Sequence, residues 1–401
     1  MTTERIEVKS GSAYDLPKPT WDVELVEVRR GTAAGELLRR YWHPVAVADE
    51  IGDLPVAVRA LGEDLILFKT SPGRFGLVYP RCCHRGTTLL YGKVEEQGIR
   101  CCYHGWLFDP EGHCLDQPCE PNRGSKRENY RQPWYPVEER YGLVFAYLGP
   151  LARKPPLPRY DVLEEVPVGH RLFADGNSIP AGGPPRMPCN WFQTHENSMD
   201  PQHVPILHKG QFPDVFTNGF DELGWEASDA GVYGWSRIFL PDGGELRFSA
   251  EVILPTVRII PDPTLGGLGR SNSVGWTLPI DETNTRIFTV FVAPEDFQPA
   301  LIDIGKAPAY AGKTWFELDL EGHQRVPGDF EAQVGQGAIT FHSEECLAAS
   351  DRGVALFRKI WRQALRSVQK GENPPLAFGC EDVLIRVRAE SAIVPPAAQE
   401  A

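Results

Sequence analysis

The chain contains no apolar run approaching the roughly 20 residues that a membrane helix needs. Its opening segment, MTTERIEVKS, carries charges where a secretion signal needs an apolar core. The expectation is a soluble cytoplasmic protein with no membrane partner. Positive charge is in deficit too: 41 Lys and Arg stand against 54 Asp and Glu, a formal net charge of −13. That balance repels phosphate backbones and anionic lipids, so a nucleic-acid partner is disfavoured. No GxGxxG fingerprint for a dinucleotide is found. Internal repeats are missing as well. The 39 Gly and 36 Pro follow no period, which indicates turn-rich β structure and excludes collagen-like or low-complexity sequence.

What is present suits a folded protein of two domains: 401 residues, 42% hydrophobic and 24% charged. Residues 1–41 read as a polar arm followed by an amphipathic helix from Val23 to Tyr41, with Ala33, Leu37, Leu38 and Tyr41 at helical spacing. Short strands separated by turns follow: VAVRALG, DLILFKT, RFGLVYP, GIRCCYH and GLVFAYLG. They predict a small all-β domain over 42–155. The proline-rich stretch LARKPPLPRYDVLEEVP marks a boundary. A second domain, 156–390, mixes strands with helix. Its strand candidates are Glu245 to Ile260 and the pair SVGWTLPI and TRIFTVFVAP, which flank DETN as a hairpin. A helix is expected over Arg352 to Lys370, and 391–401 as a frayed tail.

The nine cysteines are unevenly placed, six of them lying between Cys82 and Cys119. In a reducing cytoplasm such a cluster points to metal binding or catalysis more than to disulfides. Within it, YPRCCHRGTTLLYGKVEEQGIRCCYHGW contains Cys82-x-His84 and Cys101-x-x-His104, each on a loop after a strand. Two inorganic centres fit two cysteines and two histidines: a structural zinc ion, or a Rieske [2Fe–2S] cluster with two thiolates on one iron and two imidazoles on the other. Zinc fingers usually group Cys with Cys and His with His, whereas here each loop carries one of each. Cys114 and Cys119 read as buried strand or loop thiols.

A second constellation is PCNWFQTHENSMDPQHVPILH, Pro188 to His208. Asp200, His203 and His208 could hold a metal. On a regular helix Asp200 and His203 share a face, while His208 points elsewhere. Pro205 is expected to break the helix and let His208 swing back. Two histidines and a carboxylate form the facial triad of non-haem Fe(II) oxygenases.

CxHRG followed by CxYHGW resembles the Rieske domain of bacterial ring-hydroxylating oxygenases, and CNW ahead of the Asp and His residues resembles the phthalate dioxygenase and aromatic O-demethylase type. The extra cysteine pair of cytochrome-complex Rieske proteins is missing, since Thr87 and Tyr103 stand at those positions. Cys83 and Cys102 sit beside the ligands, where the family often has Pro at the first position. The resemblance implies an α+β chain, an all-β Rieske domain followed by an antiparallel-sheet, helix-grip-like catalytic domain. Cluster ligands are then Cys82, His84, Cys101 and His104. His203 and His208 ligate a mononuclear Fe(II), and Asn197 lies near it. Asp200 is a bridge, linking His104 of one chain to His203 of the next in a head-to-tail homotrimer. The third ligand comes from PGDFEAQVGQGAITFHSEECLAASDRGVALFRK: Asp329 first, Glu331 second, Asp351 third, with Asp351 better read as a helix cap. His195 and His342 read as structural. The implied activity is that of a terminal oxygenase acting with O2 on a small aromatic or related substrate. Electrons reach it from a separate NAD(P)H reductase, directly or through a ferredoxin. The alternatives are a Rieske electron-transfer protein without oxygenase activity and a zinc-stabilised binding protein.

Overall fold

The computed structural model describes residues 13–176, 184–208, 219–228, 231–261, 268–297, 313–375 and 384–395. The first half of the chain is built from three small antiparallel sheets. Trp42–Val47, Leu143–Tyr147 and Val137–Arg140 form one, and Val56–Ala60, Glu63–Lys69, Phe75–Val78 and Trp134–Tyr135 a second. The third is a set of very short strands, Lys93–Val94, Ile99–Arg100, Leu107–Phe108 and Cys114–Asp116. Residues of the second and third sheets and of the loops between them make a separate small core of Ile66, Phe68, Val78, Leu89, Ile99, Trp106 and Phe108, and Cys82 and Cys101 belong to it.

The second half is organised by one antiparallel sheet. Its main path runs His170–Asp175, Asn284–Pro294, Ser273–Asp281, Val257–Ile259, Glu245–Ile253, Gly231–Phe239 and Glu222–Ala227. The hairpin expected at DETN is present: Asp281 Oδ1 accepts from Thr283 N at 3.0 Å and from Asn284 Nδ2 at 2.7 Å, closing the turn. The Arg352–Gln369 helix packs Phe357, Trp361, Ala364 and Leu365 against this half, its apolar residues recurring at helical spacing.

Four sequence expectations change. The helix expected over 23–41 is two pieces, Val23–Val26 and Ala33–Leu38, separated where Gly31 takes φ +88° and Thr32 caps the second piece. The proline-rich stretch is no loose linker. Leu157 and Tyr160 are buried, Arg159–Tyr160 pairs with Leu384–Ile385, and the large core runs through both halves. Glu245 to Ile260 is two strands, because Leu254-Pro255 interrupts it with a turn. The segment expected to fray at 391 instead continues as Glu390–Val394, paired with Glu245 to Phe248. The arm's residues 1–12 and the tail's 396–401 lie outside the described residues.

Candidate functional site

The two cysteine–histidine loops are near copies of one another. Cys82 N donates to Thr87 O and Cys101 N to Trp106 O, both at 2.8 Å. Gly86 N donates to Cys82 O at 2.8 Å and Gly105 N to Cys101 O at 3.0 Å. Each turn needs a left-handed residue, met by Gly86 at φ +74° and Gly105 at φ +72°. The loops are braced differently. Behind the first, the fully buried Gln132 accepts from Cys83 N at 2.8 Å and donates to Tyr79 O and Arg81 O at 2.8 and 3.0 Å. Behind the second, Arg100 donates to Gly105 O at 2.6 Å and pairs with Glu95 and Asp116.

These turns bring the four predicted cluster residues together. The His84 and His104 rings stand 4.6 Å apart, and His84 stacks on Trp106 at 4.4 Å with 2° between planes. Cys82 and Cys101 are each 3% exposed. Contact with Cys82, and then burial, holds the Cys101 thiol well above its ordinary pKa. Burial, and then His104, lowers that of His84. Its Nδ1 is buried with no hydrogen-bond partner. A metal at that nitrogen would satisfy it. Cys83 and Cys102 are exposed, as is Cys119, which corrects its reading as a buried thiol; Cys114 is buried.

The second site starts from the helix Trp191–Glu196. Asn190 caps it, its Oδ1 accepting from Phe192 N at 2.9 Å, and its Nδ2 ties the cap to Val26 O and Glu282 O. A turn at Asn197–Met199 follows, then Pro201–His203 and a one-turn helix Val204–Leu207. Pro205 does not break a helix, as the sequence suggested; it occupies the first turn of this short one, where its missing N–H costs nothing. His208 stands at the end of that turn, its ring 5.5 Å from that of His203.

Asp329 opens the helix Asp329–Gly335 and is 6% exposed. Its Oδ1 lies 3.7 Å from His203 Nε2 and 3.5 Å from His208 Nε2, and no donor completes a well-formed hydrogen bond to it. Burial opposes ionisation of Asp329, but His208, His203 and Arg258 together hold its pKa below the ordinary value. The three donor atoms lie within 4.8 Å of one another. His203 Nδ1 donates to the Asp200 carbonyl, so the tautomer leaves Nε2 free as a donor atom. The Asp200 carboxylate stays 33% exposed and caps the next turn through Gln202 N at 3.1 Å.

The other candidates go elsewhere. Glu331 accepts from Trp315 Nε1 at 2.7 Å and Gly328 N at 2.8 Å, and pairs with His323. Asp351 stands at the N-cap position of Arg352–Gln369 without capping it; its carboxylate accepts from Ala348 N instead. His342 accepts from Asp22 N at 3.2 Å, and the fully buried His195 meets Thr277 Oγ1 at 3.2 Å. Burial, and then Arg258, lowers the pKa of His195 to about 3. Asn197 is half-buried one turn ahead of Asp200. Sequence reading missed Gln193, which fastens the two site helices. Its Nε2 donates to Gln333 O and Gly337 O at 2.8 and 3.0 Å, and its Oε1 accepts from Thr340 N and Oγ1, both at 3.0 Å. A lone Gln carries no spacing signal that would have revealed it.

Residues 41–136 match the Rieske [2Fe-2S] domain family. The chain is 45% identical over 393 residues to the phenoxybenzoate dioxygenase subunit alpha of Ectopseudomonas oleovorans, covering 95% of this chain and 93% of that protein. It belongs to the Rieske oxygenases. A second relative in this family is the tert-butanol monooxygenase / tert-amyl alcohol desaturase oxygenase subunit of Aquincola tertiaricarbonis, 35% identical over 380 residues, covering 88% of this chain and 77% of the relative. The solved structure of Pseudomonas putida CBB5 NdmA with caffeine shares the fold at a TM-score of 0.65 and 18% identity, over 86% of this chain and 96% of that one. As a Rieske oxygenase the chain is an oxidoreductase whose cofactors are a [2Fe–2S] cluster and a mononuclear iron. Its residues fit both groups: two thiols and two imidazoles, one with an orphaned nitrogen, at the first site, and two imidazoles with an unsatisfied buried carboxylate at the second.

Proposed function

We propose that this chain is the terminal oxygenase component of a multi-component system, with Cys82, His84, Cys101 and His104 holding the cluster and His203, His208 and Asp329 the mononuclear iron. When bound, the cluster would supply single electrons and the iron would activate dioxygen, so that O2, two electrons and two protons hydroxylate a substrate C–H bond with release of water. The same hydroxylation of an O-methyl carbon gives a hemiacetal that falls apart to formaldehyde and the free hydroxyl. The electrons come from a separate NAD(P)H reductase. The substrate is a small aromatic or related molecule, a reading supported by relatives named for phenoxybenzoate, phthalate and 5,5'-dehydrodivanillate.

The chain's own groups do the positioning. The Asp200 carbonyl fixes the His203 ring, and Gln193 holds the Asp329 helix against the helix that leads to His203. The partly exposed Asp200 carboxylate, which already accepts from Gln202 N, is placed to take a further hydrogen bond from His104 of a neighbouring copy. Tyr103, beside His104 at 3.9 Å between rings, is 56% exposed, which leaves the cluster open on that side. These two open ends support a head-to-tail homotrimer. Among the described residues no helix is long and apolar enough to cross a membrane, in keeping with a cytoplasmic enzyme.

The convergence of His203, His208 and Asp329 from distant parts of the chain carries this reading. Iron, zinc and acid-labile sulfide on anaerobically purified protein test it. Three irons and two sulfides per chain are expected. Two irons and two sulfides that added Fe(II) does not raise would leave an electron carrier, and zinc without sulfide would overturn both metal assignments.

A further inference from the structure

Three arginines are buried among the described residues. Arg39 binds Glu63 and three backbone carbonyls, and Arg358 binds Glu196 and Glu345. Arg258, 8% exposed on the strand Val257–Ile259, forms no ion pair and meets no hydrogen-bond acceptor among the described residues. A buried guanidinium is costly unless an anion neutralises it, so an unpartnered one in a folded core implies a partner that arrives from outside.

Its place in the sheet says where that partner sits. Arg258 pairs with Val252 on one side and Gly275 on the other, so the three share a face. At Gly275 a side chain would stand only 3.1 Å from Arg258 Cγ, and glycine leaves that space to the arginine. Thr277, two residues further along the same face, meets His195 at 3.2 Å. His195 belongs to the helix that leads on to Asn197, Asp200 and His203. The face bearing Arg258 is thus the one on which the iron-site helix lies. Burial lowers the guanidinium's pKa and Asp329 raises it, so the charges of Arg258 and Asp329 act on each other without an ion pair between them.

We propose that Arg258 is the substrate anchor: it takes a carboxylate of the substrate in a two-point contact, and the enzyme's preferred substrates are small ring-bearing carboxylic acids. A planar guanidinium matches a carboxylate with two parallel N–H···O bonds, which fixes orientation as well as position. Anchoring one end of the molecule on the sheet would hold its remaining atoms near His203, His208 and Asp329. The charges agree. A divalent ion with one carboxylate ligand keeps a net positive charge, the guanidinium adds another, and an anionic substrate offsets part of the sum. This inference rests on the oxygenase reading above.

The test is calorimetric titration of the anaerobic holoenzyme with benzoate and 3-phenoxybenzoate, each against its own primary amide. The acids are expected to bind about tenfold or more tighter than the amides. Arg258→Met should lose that preference by weakening the acids far more than the amides, with Arg258→Lys intermediate, while the cluster's visible spectrum stays intact. Equal binding of acid and amide by the unaltered enzyme, failure of both acids to bind, or an equal loss of both ligands in Arg258→Met would overturn the anchor. The comparison within the unaltered enzyme needs no variant to fold. Iron and sulfide content measured on the same sample separates the two readings: with metals present and no acid preference, the anchor alone fails.

Discussion

The loops proposed to hold the cluster and the site proposed to hold the iron are stiffened by different means. The cluster donors lie within Tyr79 to Trp106, on two turns that repeat one hydrogen-bond pattern and both need a left-handed glycine. Most of what places Cys82 and Cys101 is therefore local backbone. At the iron site the histidines ride on single turns, Pro201–His203 and Val204–Leu207, and the carboxylate comes from a helix on the far side of the sheet in sequence. Little in those turns would hold them alone. Their geometry is borrowed from Gln193, from Trp225 Nε1 donating to Met199 O at 3.1 Å, and from Arg358 gripping Glu196. A site made by local turns should survive loosening of the core, whereas one made by packing should not.

The largest expected effect separates the two centres outright. His203→Ala should lower product formation by about 100-fold or more and leave the Rieske spectrum unchanged, because donors at an open iron position are essential to oxygen chemistry. Cys101→Ser should do the converse, removing the cluster while Fe(II) still binds near His208 and Asp329, as read by metal analysis. Undiminished turnover in His203→Ala would sink the assignment of that site.

Next in size is Arg358→Met. It strands Glu196 and Glu345, whose side chains are 9% and 20% exposed, and should cost about 3–5 kcal/mol in denaturant unfolding. The comparison sharpens if iron is lost from this variant before the cluster is.

Gln132 and Gln193, both buried, give a matched pair. Gln132→Leu leaves Cys83 N, Tyr79 O and Arg81 O unpaired and should cost about 2–4 kcal/mol, shifting the cluster's electron paramagnetic resonance signal but not Fe(II) affinity. Gln193→Leu should cost a similar amount and weaken Fe(II) binding about 10–100-fold without touching the cluster signal. If each variant disturbed both centres, the distinction drawn here would collapse.

Asp200→Asn should be nearly silent in stability, since His203 is held by the Asp200 backbone carbonyl and not by its carboxylate. Both metals should stay bound while single-turnover electron transfer slows. Unchanged kinetics would count against the bridge between subunits.

Legibility in the sequence follows the same division. The strand runs, the DETN hairpin and the Arg352–Gln369 helix were readable because period and turn chemistry act over a few residues. The four residues proposed as cluster ligands stood out for the same reason. The helix expected over 23–41 split at Gly31, and Pro205 began a turn instead of ending a helix, because a boundary depends on which neighbours cap it. The family resemblance ranked Asp329 ahead of Glu331, and packing supplies the physical reason: the two residues share one helix, yet Glu331 is taken by Trp315 and His323 while Asp329 faces two imidazoles. Gln132, Gln193 and Arg258 gave no sequence signal, since a single polar residue looks the same whether its partners lie in water or in a core.

By itself, then, the chain's order of residues determined the family and pointed to the proposed cluster ligands and the two histidines proposed for the iron, all of which depend on short spacings and turn-specific residue types. Tertiary structure decided which carboxylate meets the two imidazoles, the clamps behind each site and the arginine buried without an ion-pair partner. Those are settled by which distant segments exclude water from one another, and burial of that kind has no local signature.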